Sequence, residues 1–309
     1  PAGSSFGVRA RPSALSRRMA AVAAVNAGYF DGDGFPVGAL AAEGRLLSEP
    51  VGGRSALLVG TAPRGIGPLR FEGVVRVVDE ELVLDGVNRI PGEIPACGGR
   101  GGDRPTERPS AVTTCTDPSE LVLFTPDWGA PTPRIAGSLD AVVRGGVVES
   151  LRSGGGSAVP PDAVVLTATG GARAPLREAG VGAPLELGQD MSMRAAVVPP
   201  GDIVSGGPRL LAGGRVRVKS SAEGFNPLSA PWFHGSFVAS RQPRTMAGVR
   251  RGGSLLLVTV DGRRPGWSAG VTLQEGARVM RSLGARDALN LDGGGSTAMA
   301  VRGRTANLP

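Results

Sequence analysis

Residues 285–301 read ARDALNLDGGGSTAMAV, and this stretch decides the fold class. An apolar segment breaks on three consecutive glycines and then resumes, so the pattern reads as strand, turn, strand. Alternation along the first strand sends Asn290 and Asp292 to one face and Leu291 to the other. The polar pair therefore points together where the backbone becomes unusually permissive. Successive N–H groups around Gly293 and Gly294 can curl into a nest that accepts an anionic oxygen, and Ser296 adds a hydroxyl donor. The plainer reading is a hairpin turn with an Asx-type hydrogen bond.

Working outward, Thr272 to Leu283 is predicted as a helix. Leu273, Ala277, Met280 and Leu283 fall on one face, Thr272 caps the start and Gly284 follows the end. Thr272-Leu-Gln-Glu275 has the form of a capping box, which gives Glu275 a structural role, although this helix start follows directly on the loop after Asp261 and can border a site. Ser254 to Val260, SLLLVTV, is continuously apolar and is predicted as a central strand. It ends in Asp261-Gly262-Arg263, a position where catalytic acids of layered folds often sit and where plain turns are also common. Arg209 to Val218 reads as a hairpin around two glycines. Near the start, MAAVAAVNAGYF at 19–30 reads as a buried strand that carries Asn26 at its end into the turn signal DGDGFP.

Further strand-like segments lie at 55–59, 74–78, 81–83 and 121–125, and the short apolar runs between 141 and 198 suggest a meander. With 50 glycines and 26 prolines, tight turns between short strands outweigh helices. The expectation is an α+β fold, β-rich with mixed sheets and few helices. It would form a single catalytic domain over 1–309, with an inserted or subsidiary β-rich region at about 60–200.

Composition narrows the function. The formal charge is +7 and Lys219 is the only lysine. The arginines are scattered and aromatics are 4% of residues, which argues against nucleic-acid binding and leaves phosphate-bearing or anionic substrates open. Cys97 and Cys115 have no metal-ligand spacing, so a disulfide closing the loop between them is the simplest reading. It suits an oxidising, extracytoplasmic setting. No apolar run approaches a membrane span, and a signal peptide, where one existed, is expected to have been removed before Pro1.

Two further segments carry candidate chemistry. RQPRTMAG at 241–248 offers Arg244, whose guanidinium matches phosphate bidentately, and the hydroxyl of Thr245 beside it. An ordinary surface arginine is the plain alternative. His234 is the only histidine; it serves equally as a proton-transfer group or as a structural residue. No cofactor is demanded by the sequence, and a divalent cation is compatible with the carboxylates but required by no spacing.

Taken in order, VNAGYFDGDGFPVG, GGRSAL, VSGGPRLL, PRTMAG, VDGRRPGWSAGVTLQEGARVM and LNLDGGGSTAM resemble the phosphodiester glycosidase family over most of the chain. The resemblance implies that Asn26, Arg244, Thr245, Asp261, Glu275, Asn290, Asp292, Gly294 and Ser296 converge on one pocket. It implies a hydrolase that releases free sugar and a phosphomonoester from a sugar-1-phosphodiester, acting on secreted or cell-envelope glycoconjugates. Asp292, Asp261, Glu275 and His234 are then the catalytic candidates. Asn26, Arg244, Thr245, Asn290, Gly293, Gly294 and Ser296 are the candidates for binding the carbohydrate-phosphate substrate. A module that binds anionic envelope glycans without turnover is the alternative.

Overall fold

The computed structural model describes residues 10–60, 64–95, 102–107, 113–193, 196–198, 201–225 and 234–308. The architecture is β-rich α+β, as the turn-dense composition predicts. One five-stranded antiparallel sheet organises the C-terminal part, in the order Arg215–Val216, Arg209–Ala212, Ala285–Asn290, Arg244–Arg250, Leu255–Val260. Period-two alternation gives this sheet two apolar faces. On one, Met246 and Ala288 meet Leu273, Ala277 and Met280 of the helix Leu273–Ser282. A Cβ at Gly248 would lie 2.7 Å from the Met280 methyl, so the helix rests directly on the strand backbone there.

On the other face, Ala247, Val249, Leu289 and Leu291 pack with Leu57 and Ile66. Those partners belong to an eight-stranded sheet containing Ser55–Leu58 and the long strand Gly65–Val77. The far end of the long strand, through Val75 and Val77, joins a separate core with Leu123, Leu166 and Leu176. That core covers a second five-stranded sheet, mixed because Gly86–Val87 runs parallel to Leu121–Phe124 while its other pairings are antiparallel.

The structure departs from the sequence reading in three places. Leu255–Val260 is an edge strand, with every residue partly exposed. It is continuously apolar because both faces still cover neighbours, Leu256 and Val258 on the helix side and Leu255 and Leu257 on the other. The strand after the triple glycine, Met299–Val301, does not fold back on Ala285–Asn290. It pairs with Ala23–Val25 in a three-stranded sheet, so the glycine turn is a crossing between sheets and not a hairpin. Within 19–30 only Ala23–Val25 is strand, and Ala23 is exposed; the helix Pro12–Arg18 precedes it.

Cys115 is disulfide-bonded, and Cys97, its expected partner, lies outside the described residues. Among the described residues no helix is long and apolar enough to cross a membrane.

Candidate active site

The site forms where the strands Arg244–Arg250 and Ala285–Asn290 end side by side. Met246 pairs with Asn290, and one step further the Leu291 N–H donates to the Thr245 carbonyl at 2.8 Å. Beyond that point the chain turns away through Asp292 and the glycines. The turn lies so close to the neighbouring backbone that a Cβ at Gly293 would stand 2.8 Å from the Pro243 carbonyl oxygen. Gly294 has φ +57°, a conformation that costs a residue bearing a Cβ.

Asn26 clamps this turn from the other end of the chain. Its amide donates to the Asp292 carbonyl at 2.8 Å, and its Oδ1 accepts from Thr245 Oγ1 at 2.5 Å and from the Ala298 N–H at 3.0 Å. The Asp292 N–H donates to the Ala27 carbonyl at 3.1 Å. Three segments that are remote in sequence are thereby fixed to one another by a single amide side chain, both ends of which are used.

The Asp292 carboxylate is partly buried. Its Oδ1 accepts from the Gly293 N–H at 2.8 Å. Burial raises its pKa above the ordinary carboxylate value, opposed by the hydrogen bonds from Ser296 and from Gly293. The Gly294 N–H is also committed, to the Pro243 carbonyl at 2.9 Å. An open nest of glycine N–H groups is therefore not what Gly293 and Gly294 provide. What stands beside Gly294 is a cation: the Arg263 guanidinium lies 3.1 Å from the position a Gly294 Cβ would take.

Arg263 is exposed and is steered to this place by its own backbone, at φ +57°, and by a 2.6 Å bond from its Nε to Gln242 Oε1. In the sequence it falls in the Asp261-Gly262-Arg263 turn, and nothing in the local pattern marks it apart from the other arginines.

Arg244 is not a surface arm. Its residue is 0% exposed, with Nε donating to the Val271 carbonyl at 3.1 Å and Nη2 to the carbonyls of Phe237 and Ser240. The guanidinium lies 4.6 Å over the Phe237 ring. Its Nη1 is buried and has no hydrogen-bond partner, and none of the described ion pairs includes it. Burial lowers its pKa to about 10, the nearby Arg263 adds to the lowering, and Tyr29 opposes it. The group is thus a charged, incompletely satisfied donor beside a second cation.

The remaining candidates divide. Asn290 is 0% exposed and donates to Tyr29 Oη and to the Gly207 carbonyl, each at 3.1 Å, so it supports the site from beneath. Tyr29, whose hydroxyl donates to the same Gly207 carbonyl at 2.6 Å, is a supporting residue that no local pattern in the sequence marks. Glu275 completes the expected capping box with Thr272 and also pairs with Arg241. The Thr272 N–H, then Arg241, hold its carboxyl below the usual range. Asp261 accepts from Trp267 Nε1 at 3.2 Å on one oxygen, and from Asn307 Nδ2 at 3.1 Å and the Leu308 N–H at 3.0 Å on the other. His234 opens a π-helical turn, His234–Val238, and its carbonyl accepts from the Ala239 N–H.

Hydrogen bonds or close approach thus join Asn26, Thr245, Asp292, Gly293, Gly294 and Ser296, with Arg244 and Arg263 alongside. The described bonds of Asp261, Glu275 and His234 run to other partners. Among the described residues no group of three or more His, Cys, Asp or Glu side chains is placed to hold a metal ion.

A model of the family described as phosphodiester glycosidase matches residues 137–309. A Burkholderia pseudomallei protein described as exported superposes with TM-score 0.84 at 30% identity, covering 99% of this chain and 66% of its own. A Synechocystis protein superposes with TM-score 0.77 at 23% identity, covering 98% and 52%. The Bacillus subtilis SPbeta prophage-derived protein YomE is 40% identical over 67 residues, 22% of this chain and 10% of that one. The chain therefore spans about two thirds, half and a tenth of these relatives. The matched region holds every candidate site residue except Asn26, which hydrogen bonds tie to Asp292, Thr245 and Ala298.

Proposed function

Because the chain belongs to the phosphodiester glycosidase family, we propose that it hydrolyses the bond between the anomeric carbon of a sugar and a phosphate oxygen. Water adds to the anomeric carbon, the C–O bond to phosphate breaks with its electron pair leaving on the phosphate oxygen, and free sugar and a phosphomonoester result. Phosphate is a good leaving group, so the step needs charge stabilisation more than a strong acid. Arg263, exposed beside Gly294, and the unneutralised Arg244 behind it form the positive pole that favours phosphate binding and departure. Asp292 takes the proton of the attacking water; burial raises its pKa and with it the basicity of the carboxylate. Asn26 and Thr245 hold the Asp292 turn in place.

The observation that carries this reading is the Arg263 guanidinium beside Gly294, on the turn that bears the Asp292 carboxylate, with Arg244 close enough to Arg263 to feel its charge and left short of a partner at Nη1. The disulfide state of Cys115 and the exported description of the Burkholderia relative support an extracytoplasmic setting and envelope or extracellular glycoconjugates as substrates.

The test is turnover of the methyl ester of N-acetylglucosamine 1-phosphate in ¹⁸O-water. Label is expected in the released sugar and none in the phosphate, with Asp292→Asn lowering kcat by about 10²–10⁴-fold. Label in the phosphate would reassign the enzyme as a phosphodiesterase. Undiminished turnover in folded Asp292→Asn would remove that residue from the mechanism, and binding without turnover across a substrate panel would favour the glycan-binding alternative.

A further inference from the structure

The loop from Arg263 to Ala269 surrounds an open depression of about 460 Å³. In it stands Trp267, 66% exposed, in a chain with only three tryptophans. Tryptophan joins a large apolar ring to one polar N–H, and for that reason it is enriched at contact surfaces. This side chain is also fixed rather than loose. Its indole N–H donates to Asp261 Oδ2 at 3.2 Å, and the backbone is locked by reciprocal 3.0 Å bonds between Arg264 and Ser268. The Ser268 hydroxyl donates to the Asp261 carbonyl at 2.5 Å. With the polar edge of the ring already bound, what remains on offer is apolar: a rigid indole face, the group that packs against the C–H face of a sugar ring.

The loop's other end is Arg263, whose guanidinium abuts Gly294. Arg263 and Trp267 both line the depression, so a cation suited to phosphate and an apolar ring face suited to a sugar border one open space. We propose that Trp267 is the sugar-binding platform of the site, taking the pyranose ring of the substrate while Arg263 holds the phosphate. This inference rests on the proposed hydrolysis of sugar phosphodiesters.

The test compares the parent, Trp267→Ala and Trp267→Phe on the methyl ester of N-acetylglucosamine 1-phosphate. Calorimetric binding is measured in the Asp292→Asn background, and dimethyl phosphate serves as a sugar-free inhibitor. Trp267→Ala is expected to raise KM and the dissociation constant about tenfold while kcat stays within about twofold. Trp267→Phe, which keeps a ring but loses the bond to Asp261, is expected to remain within about threefold of the parent. Inhibition by dimethyl phosphate should not change.

A merely structural Trp267 would make the phenylalanine variant as poor as the alanine one, and that result would overturn the proposal. Unchanged KM and binding in Trp267→Ala would overturn it while leaving the hydrolase reading intact. Conversely, Trp267-dependent binding of the probe without any turnover would sustain the platform and sink the hydrolase. Failure of the probe to bind at all would remove both.

Discussion

Asn26 offers a test of the site's architecture that needs no substrate. Replacing it by alanine removes three side-chain hydrogen bonds at once and leaves the Thr245 hydroxyl, the Ala298 N–H and the Asp292 carbonyl short of partners. Thr245 is 0% exposed, so its hydroxyl has no water to turn to, whereas the other two groups lie at partly exposed residues. With each orphaned group worth about 1–3 kcal/mol, and less where water can reach, Asn26→Ala should destabilise by about 2–4 kcal/mol. At about 2 °C per kcal/mol for a chain this long, Tm should fall by about 4–8 °C. Thr245→Val is nearly isosteric and leaves Asn26 Oδ1 still bonded to Ala298, so on its own it should cost about 1 kcal/mol. In the Asn26→Ala background the same change deletes a hydroxyl that is already orphaned, and should be neutral or slightly stabilising. The double-mutant cycle, read by urea denaturation, should therefore show a coupling of about 1 kcal/mol or more. Additive effects would refute the bond between residues 26 and 245, and with it the clamp on the Asp292 turn.

Two other changes follow from the same structure. Gly294→Ala places a Cβ on a φ of +57° and 3.1 Å from Arg263 Nη2; it should cost about 1–2 kcal/mol of stability yet lower turnover well beyond what that loss explains, and an active variant would argue that Arg263 does not work beside Gly294. Asp85, remote from this site, has its carboxyl pushed up by burial to about 7, so the folded state holds a proton that the unfolded chain gives up from about pH 4 upward. Stability should accordingly fall as pH rises between those values, and Asp85→Asn, whose amide oxygen can still accept from the Leu121 N–H, should flatten the fall; a parent and variant whose Tm difference is the same at pH 4 and pH 8 would contradict the assignment.

What the sequence made legible was local or carried by the order of motifs. The helix from Leu273, its Thr272–Glu275 capping box and the Gly213-Gly214 hairpin, both glycines at positive φ, follow from interactions within a few residues, where spacing and chemistry coincide. The clamp between Asn26 and Asp292 spans 266 residues, and no periodicity predicts such a bond; the ordered motifs imply only that the two residues share a pocket. Leu255–Val260 misled because a continuous apolar run reports that both faces are covered, not how many neighbours the strand has. The sequence offered Arg244 as a phosphate arm, and nothing in RTMAG distinguishes an exposed guanidinium from one buried on backbone carbonyls. Arg263 was overlooked because its place depends on a left-handed backbone and on Gln242.

The way these charges are held bears directly on what the site can do. Asp292 lies on the same turn as Gly294, against which Arg263 rests, yet no arginine is among the causes of its pKa shift, and no described ion pair joins it to Arg244 or Arg263. A direct pair would hold the carboxylate well below its ordinary pKa and neutralise the guanidinium meant for phosphate. Instead each charge is fixed by neutral partners: Asp292 by the Gly293 N–H and Ser296, Arg263 by the Gln242 amide oxygen, Arg244 by three backbone carbonyls. Neutral anchors fix position without cancelling charge, which is what the roles proposed for Asp292 as base and for the arginines as an anion site require. The turn that carries Asp292 needs glycine at both of its first positions, because a Cβ at Gly293 would meet the Pro243 carbonyl oxygen at 2.8 Å and one at Gly294 would meet the Arg263 guanidinium at 3.1 Å.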